Sequence, residues 1–285
     1  SMINHGADTF GSGSLLDDLV GYVMSGRRCS LMLIGDTAQL PPIGFETSPA
    51  LESDRLRGYG LYVTDYDMTE VLRQAADSGI LANATMLRNM KDSAVGMPRI
   101  RTSGFSDISV CIGNELVETL AGSYSRKGMD ETVVITRSNK RANMYNAGIR
   151  NQILGRESEL ESGDMLMIVK NNYYWTHDIK DPAAPPFLAN GDRCVVRRVR
   201  NIRSLYGFRF ADVLFTLPDY DDYEIQATML LDTLQSESPA LSAEKAAELM
   251  TRIETEDYAD ITRKDERRER LRDDKHFNAL QVKYA

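Results

Sequence analysis

Cysteine is nearly missing from these 285 residues: Cys29, Cys111 and Cys194 stand far apart, with no CxxC or Cys/His spacing between them. That excludes a disulfide framework and a zinc site of the usual ligand spacing, and it fits a reducing, cytoplasmic setting. Histidine is as scarce, and His5, His177 and His276 share no metal spacing. No apolar run approaches the roughly 18 residues of a membrane span, and the polar start SMINHGADTF lacks the apolar core of a signal peptide. A soluble cytoplasmic protein with no membrane partner is expected. Basic charge is in deficit, with 34 Lys+Arg against 42 Asp+Glu and a formal net charge of −8. A uniformly basic coat for nucleic acid is therefore excluded, and any such contact must be local. Also absent is any GxxxxGK[ST] string. Without that backbone cradle and its lysine, the chain by itself is not expected to bind ATP tightly or to hydrolyse it.

What is present reads first as α/β. SLLDDLVGYVMSG is amphipathic, with Leu15, Leu16, Leu19, Val20 and Val23 on one face, Ser14 and Asp17 as a capping box and Gly26 as the stop. An unbroken apolar run, Leu31 to Ile34, ends in Gly35-Asp36, the pattern of a buried parallel strand whose C-terminal edge faces a ligand. LYVTD and a helix from about Ser78, with Ile80, Ala84 and Leu87 on one face, suggest a second unit. Strand SVCIG, a helix with Leu116, Val117 and Leu120, strand TVVIT and a helix with Ala142, Tyr145, Ile149 and Ile153 continue the alternation. After Gly155 the pattern changes to short strands, DMLMIVKNN, GDRCVVRRV, GFRFADVLFTL and YEIQATMLL, broken by turn signals. Strands without helices predict a small barrel. A helix resumes at Ser242, with Ala246, Leu249, Met250 and Ile253 at helical spacing, and ALQVKYA ends the chain as a strand with Leu280, Val282 and Tyr284 alternating.

Four groups of residues can carry chemistry. In GDTAQLPPIG a buried strand delivers a loop stiffened by Pro41-Pro42, so the Gln39 amide, both donor and acceptor, is held beyond a sheet edge where it can report on a phosphate. In MTEVLRQAADSGIL, Arg73 offers a permanently charged, bidentate guanidinium. Thr136, Ser138 and Asn139 sit where a strand meets a helix N-terminus, which suits phosphate-backbone contacts; helix capping by Ser138 explains the same residues. Arg193, Arg197, Arg198, Arg200, Arg203 and Arg209 follow one another with no acid between them, interrupted by Val, Leu, Tyr and Phe. Such a face can hold a single strand by charge and stacking, or it can be a solvated face balanced by the acids from Asp219 to Glu224. Tyr173, Tyr174 and Trp175 can stack on bases, although aromatics beside a turn more often serve a core. The charge run from Arg263 to Lys275 mixes signs and reads as a solvated helix with internal ion pairs.

GDTAQLPP resembles the third helicase motif of RecD-like and Dda-like superfamily 1 DNA helicases, and MTEVLRQAADSGIL is similar to their fourth. VVITRSNKRANMYNAGIR resembles the strand and helix of their second RecA-like domain, and SGDMLMIVKNNYYW with LANGDRCVVRRV resembles the opening of their SH3-like barrel. The resemblance covers most of the chain. It implies incomplete RecA-like parallel-sheet domains: residues 1–66 as the end of the first, 67–160 as most of the second, 161–234 as an inserted barrel, and 235–285 as a helical segment and strand returning to the second. It implies that Gln39, with Asp36 as a weaker companion, senses the γ-phosphate of ATP, and that Arg73 reaches the same phosphate across a cleft. Thr136, Ser138, Asn139, Arg197, Arg198 and Arg200 then become candidate contacts to single-stranded DNA. The family's magnesium-holding Asp-Glu pair is followed closely by Ser-Met, and the chain begins Ser1-Met2-Ile3; its later His-Lys-x-Gln-Gly motif is also absent. The expected parent is an ATP- and Mg2+-dependent 5′ to 3′ helicase, alone or with other subunits of a nuclease-helicase complex. A non-catalytic DNA-binding or interaction module derived from such a helicase, or an unrelated P-loop ATPase, remains the alternative.

Overall fold

The computed structural model describes residues 12–42, 44–69, 77–90 and 96–285, in two compact units, residues 1–110 and 111–285. In the first, α1 (Leu15–Ser25) starts as its sequence requires: the Ser14 hydroxyl accepts from the Asp17 N–H at 3.4 Å. Leu16 and Val20, one turn apart, bury against Ala50 and against Leu56 of the short α2 (Ser53–Arg57). Leu31, Leu33, Leu61 and Val63 pack half-buried on this cluster, while Met32, Ile34 and Tyr62 between them stay exposed. α3 (Gly79–Met90) is capped from a distance, because the Asp107 carboxylate accepts from the Ser78 hydroxyl and the Gly79 and Ile80 N–H groups at 2.7, 2.9 and 3.2 Å. The face expected to turn inward does not, and Ile80 and Leu87 are exposed. Asn83 is buried instead, its amide donating to the Gly79 and Arg101 carbonyls while its oxygen accepts from the Arg101 N–H. Those bonds draw the segment around Arg101 against α3, with the Phe105 ring so close to Gly79 that a β-carbon there would stand 2.5 Å from it.

The second unit contains α4 (Leu116–Lys127) and α5 (Asn139–Gly148), the latter running into a π-helical turn at Ile149–Ile153. A closed barrel follows, of β1 (Met165–Ile168), β2 (Arg193–Leu205), β3 (Phe208–Leu217), β4 (Tyr223–Leu230) and, beyond α6 (Ala243–Glu256) and α7 (Lys264–Arg272), β5 (Leu280–Tyr284). Leu166, Ile168, Cys194, Val196, Val213, Phe215, Leu217, Met229, Leu280 and Val282, all fully buried, fill its interior. β3 buries apolar residues on both its faces. Val213 and Phe215 point into the barrel, whereas Phe208 and Phe210 lie under Leu249 and Ile253 of α6 and Leu271 of α7.

The barrel appears where the sequence predicts it, with one correction. The terminal strand, expected to return to an α/β sheet, instead closes the barrel, antiparallel to β1 and parallel to β4. Its alternation places Leu280 and Val282 inside, and that interior needs a fifth strand to shut its edge. The RecA-like parallel sheets are not seen. Leu31–Ile34, Leu61–Asp65, Ser109–Gly113 and Thr132–Thr136 join no ladder, and among the described residues the only parallel pairing is β4 with β5. A parallel strand requires a hydrogen-bonding neighbour along its edge, and none is found here for these four. The charge run also differs from expectation: α7 shows no internal ion pair among the described residues, and Arg267 donates to the Ile261 carbonyl at 3.1 Å.

Candidate functional site

The Gln39 loop is built by its own aspartate. Gly35 lets the chain pass Leu51, whose Cδ1 would lie 2.7 Å from a β-carbon at that position. Asp36 then folds the turn, its Oδ1 accepting from the Ala38 N–H at 2.8 Å and its carbonyl from the Gln39 N–H at 3.1 Å. Asp36 Oδ2 meets Arg88 of α3 at 2.9 Å. Both carboxylate oxygens are thus engaged within the protein. The exposed Gln39 amide has no hydrogen bond among the described residues, so the loop presents a donor and an acceptor to solvent from a fixed turn. Arg73 lies outside the described residues. Asp107, beneath α3, is held down at about 2 by the Ser78 hydroxyl and the Gly79 and Ile80 N–H groups.

In the second unit, Thr136, Ser138 and Asn139 all hydrogen-bond within the protein. Thr136 donates to the Ser138 carbonyl at 3.2 Å, the Ser138 hydroxyl accepts from the Arg141 N–H at 3.3 Å as the cap of α5, and Asn139 donates to the Glu237 carbonyl at 2.9 Å. Capping therefore accounts for Ser138.

On the barrel, β2 bulges between Val196 and Arg198. Two residues there oppose one on β3, so Arg197 and Arg198 are both exposed in succession. Most of the arginine run is neutralised. Arg193 meets Asp219 at 3.0 Å, Arg197 meets Thr216 at 3.1 Å and Asp222 at 3.7 Å, and Arg209 grips Glu159 at 2.7 and 2.8 Å. Arg203 turns to Asp212 at 3.0 Å and to His276 Nε2 at 3.1 Å. Burial works to raise the Asp212 carboxyl, but hydrogen bonds from Arg203, Asn201 and Thr228 hold it down at about 2. Arg198 and Arg200 alone of the run remain exposed without an ion pair among the described residues. The acids from Asp219 to Asp222 thus balance part of the run, and its free positive charge is confined to one stretch of β2.

Among the aromatics, Trp175 packs on the barrel core and donates to the Asn278 carbonyl at 2.9 Å, and Tyr174 donates to the Asp273 carbonyl at 3.0 Å. Tyr173 is 59% exposed and stacks on Phe187 at 4.9 Å.

Sequence reasoning passed over a buried ion pair. Arg150, in the π-helical turn, makes a two-point bond to Asp164, Nε to Oδ1 and Nη2 to Oδ2, both at 2.9 Å. Arg156 adds 2.9 Å to Asp164 Oδ1, and the Arg150 guanidinium lies 4.7 Å from the Tyr284 ring centre. The Gly-Asp pair heading β1 was the available signal, since a buried aspartate at a strand start requires a cation.

No group of three or more ligating side chains able to hold a metal occurs among the described residues. No helix among them is long and apolar enough to cross a membrane. Comparison with models of known protein families finds no match, and comparison with curated proteins finds none.

Proposed function

We propose that this chain is the central part of an ATP-dependent DNA helicase of the RecD-like kind, moving 5′ to 3′ on single-stranded DNA, with its RecA-like sheets completed by strands from elsewhere in the parent. The observation that carries the reading is the Gln39 loop: a specific string, GDTAQLPP, folded by Asp36 so that the Gln39 amide is exposed and without a hydrogen bond among the described residues. An exposed amide on a fixed turn can follow the presence or loss of a phosphate. Gln39 is then the γ-phosphate sensor. Arg73 is the cation that stabilises charge developing on the transferring phosphoryl group, a contribution on the order of 10³ to 10⁵ in rate for arginines so placed. Asp36 acts by shaping the loop. The nucleotide and magnesium would be held mainly by the phosphate loop and acidic pair of the parent. Arg198 and Arg200, with the α5 start at Thr136, Ser138 and Asn139, supply local charge and backbone N–H groups for phosphates of the strand.

The alternative, a non-catalytic DNA-binding module, is favoured by the barrel, which forms a closed sheet. The two readings separate on the reading frame preceding Ser1. The motor requires GxxxxGK[ST] and an Asp-Glu pair to be encoded there, whereas the module requires neither. Finding neither would overturn the motor reading and leave the module standing.

A further inference from the structure

Helix α5 carries asparagines at 139, 143 and 146 and Arg150 one turn further, a spacing that places all four on one face. That face would ordinarily be apolar where a helix docks on a barrel, yet α5 has no buried residue along Asn139–Gly148. Its contacts are side-chain amides on backbone carbonyls. Asn139 donates to Glu237 O at 2.9 Å, Asn143 to Gln235 O at 2.8 Å and Ser236 O at 3.3 Å, and Asn146 to Tyr284 O at 3.1 Å. The strap at 235–237, leaving the barrel after β4, is thus held by α5 on one side. On the other, Lys283 of β5 donates to the Ser236 carbonyl, and the Gln281 side chain accepts from the Leu241 N–H at 2.9 Å.

The two ends of this seam differ. At Arg150 it is firm, because the guanidinium is buried, doubly bonded to Asp164 and laid over Tyr284. Along the seam runs a polar cavity of about 280 Å³, lined by Asn143, Arg150, Asn151, Gln235 and Tyr284 among others, and the amide bonds at Asn143 border it. Neutral hydrogen bonds beside water exchange for water at little net cost, whereas the barrel interior cannot part without exposing its apolar side chains. The π-helical turn at Ile149–Ile153 sits at the firm end, where an irregular helical turn can take up bending.

We propose that this seam is a hinge: α5 opens away from the strap and the barrel about Arg150 while the barrel stays closed, with Asn139, Asn143 and Asn146 as the positioning residues that hold the closed state. The inference stands independently of the proposed function. Native-state amide hydrogen exchange on the chain tests it, read at several sub-denaturing urea concentrations. Amides of α5 and of residues 234–241 are expected to exchange through a local opening with little urea dependence, at least tenfold faster than those of β3 and β4, which should exchange only by global unfolding. The Asn139→Ala/Asn143→Ala double variant should speed the seam amides at least a further tenfold and leave β3 and β4 within twofold, and Asn143→Gln should restore most of the protection. If the double variant does not fold, Asn139→Ala alone should give a smaller change of the same kind. Seam and barrel amides sharing one urea dependence, or both accelerating together in the variants, would overturn the hinge.

Discussion

Arg150 and Asp164 show what a buried charge demands. Asp164 is almost wholly enclosed, and the guanidiniums of Arg150 and Arg156 both reach it. Removing one partner of such a pair leaves a charge without compensation, which costs roughly 3 to 5 kcal/mol. Arg150→Ala leaves Asp164 to Arg156 and the Glu161 N–H, so it is expected to lower the unfolding free energy in urea titration by less than that, about 1.5 to 3 kcal/mol. His276 gives a second residue-scale expectation. It is packed between Tyr206 and Phe210 and accepts from Arg203, and burial lowers its pKa below the ordinary 6.5, with Arg203 and Lys275 adding to that while Asp274 and Asp257 oppose it. The neutral ring is therefore the folded form. Its contribution is complete above the unfolded value of 6.5 and is lost as pH falls through the lowered one. Stability measured from pH 7.5 downward should decline below about 6.5 more steeply in the native protein than in His276→Gln. Equal slopes would remove His276 from the account. Neither residue was legible as a partner in the sequence: Asp164 lies 14 positions from Arg150, and only the π-helical turn and the barrel edge bring them together.

At the scale of elements, what the sequence shows depends on whether an element's partner is present to give its pattern meaning. α1 and α6 were readable because amphipathic spacing is local; Ser14 caps α1 as expected, although the Asp17 carboxylate accepts from the Tyr59 hydroxyl rather than closing the capping box, and Ser242 caps α6. β2 to β4 were readable for the same reason, through turn signals and alternation. The bulge that sets Arg197 and Arg198 side by side was not, because it depends on register with β3. Asn83 defeated the periodicity of α3, since a buried asparagine is invisible to an apolar pattern until its two backbone partners are known. The barrel core leads to a further expectation. Phe215 is fully buried among apolar neighbours, and Phe215→Ala should cost about 3 to 5 kcal/mol, whereas exposed Arg198→Ala should stay within about 0.5 kcal/mol. Denaturant titration of the two variants checks both values, and a small loss at Phe215 would mean that the barrel interior is loosely packed.

For the whole molecule, the two units pose different problems. The second holds a closed barrel, whereas the first contains apolar segments with half-buried and exposed residues alternating and, among the described residues, no ladder to join them. The sequence shows the strand character of those segments but not what they pair with, since parallel pairing is a relation to other strands and not a property of a segment. The candidate site inherits this division. Gln39 is exposed on a turn fixed by Asp36, and Arg73 is placed by resemblance alone. The measurement that bears most directly on the proposed motor is ATPase activity of the parent polypeptide, with and without single-stranded DNA, in Gln39→Ala and Arg73→Ala. If Gln39 links the γ-phosphate to the DNA track, Gln39→Ala should keep part of the basal activity and lose DNA stimulation. If Arg73 stabilises charge on the transferring phosphoryl group, Arg73→Ala should lose activity with or without DNA, through the catalytic rate far more than through nucleotide affinity. DNA-stimulated ATPase within about twofold of the parent in both variants, a change of only ~0.4 kcal/mol, would contradict the assignment of both residues to the nucleotide.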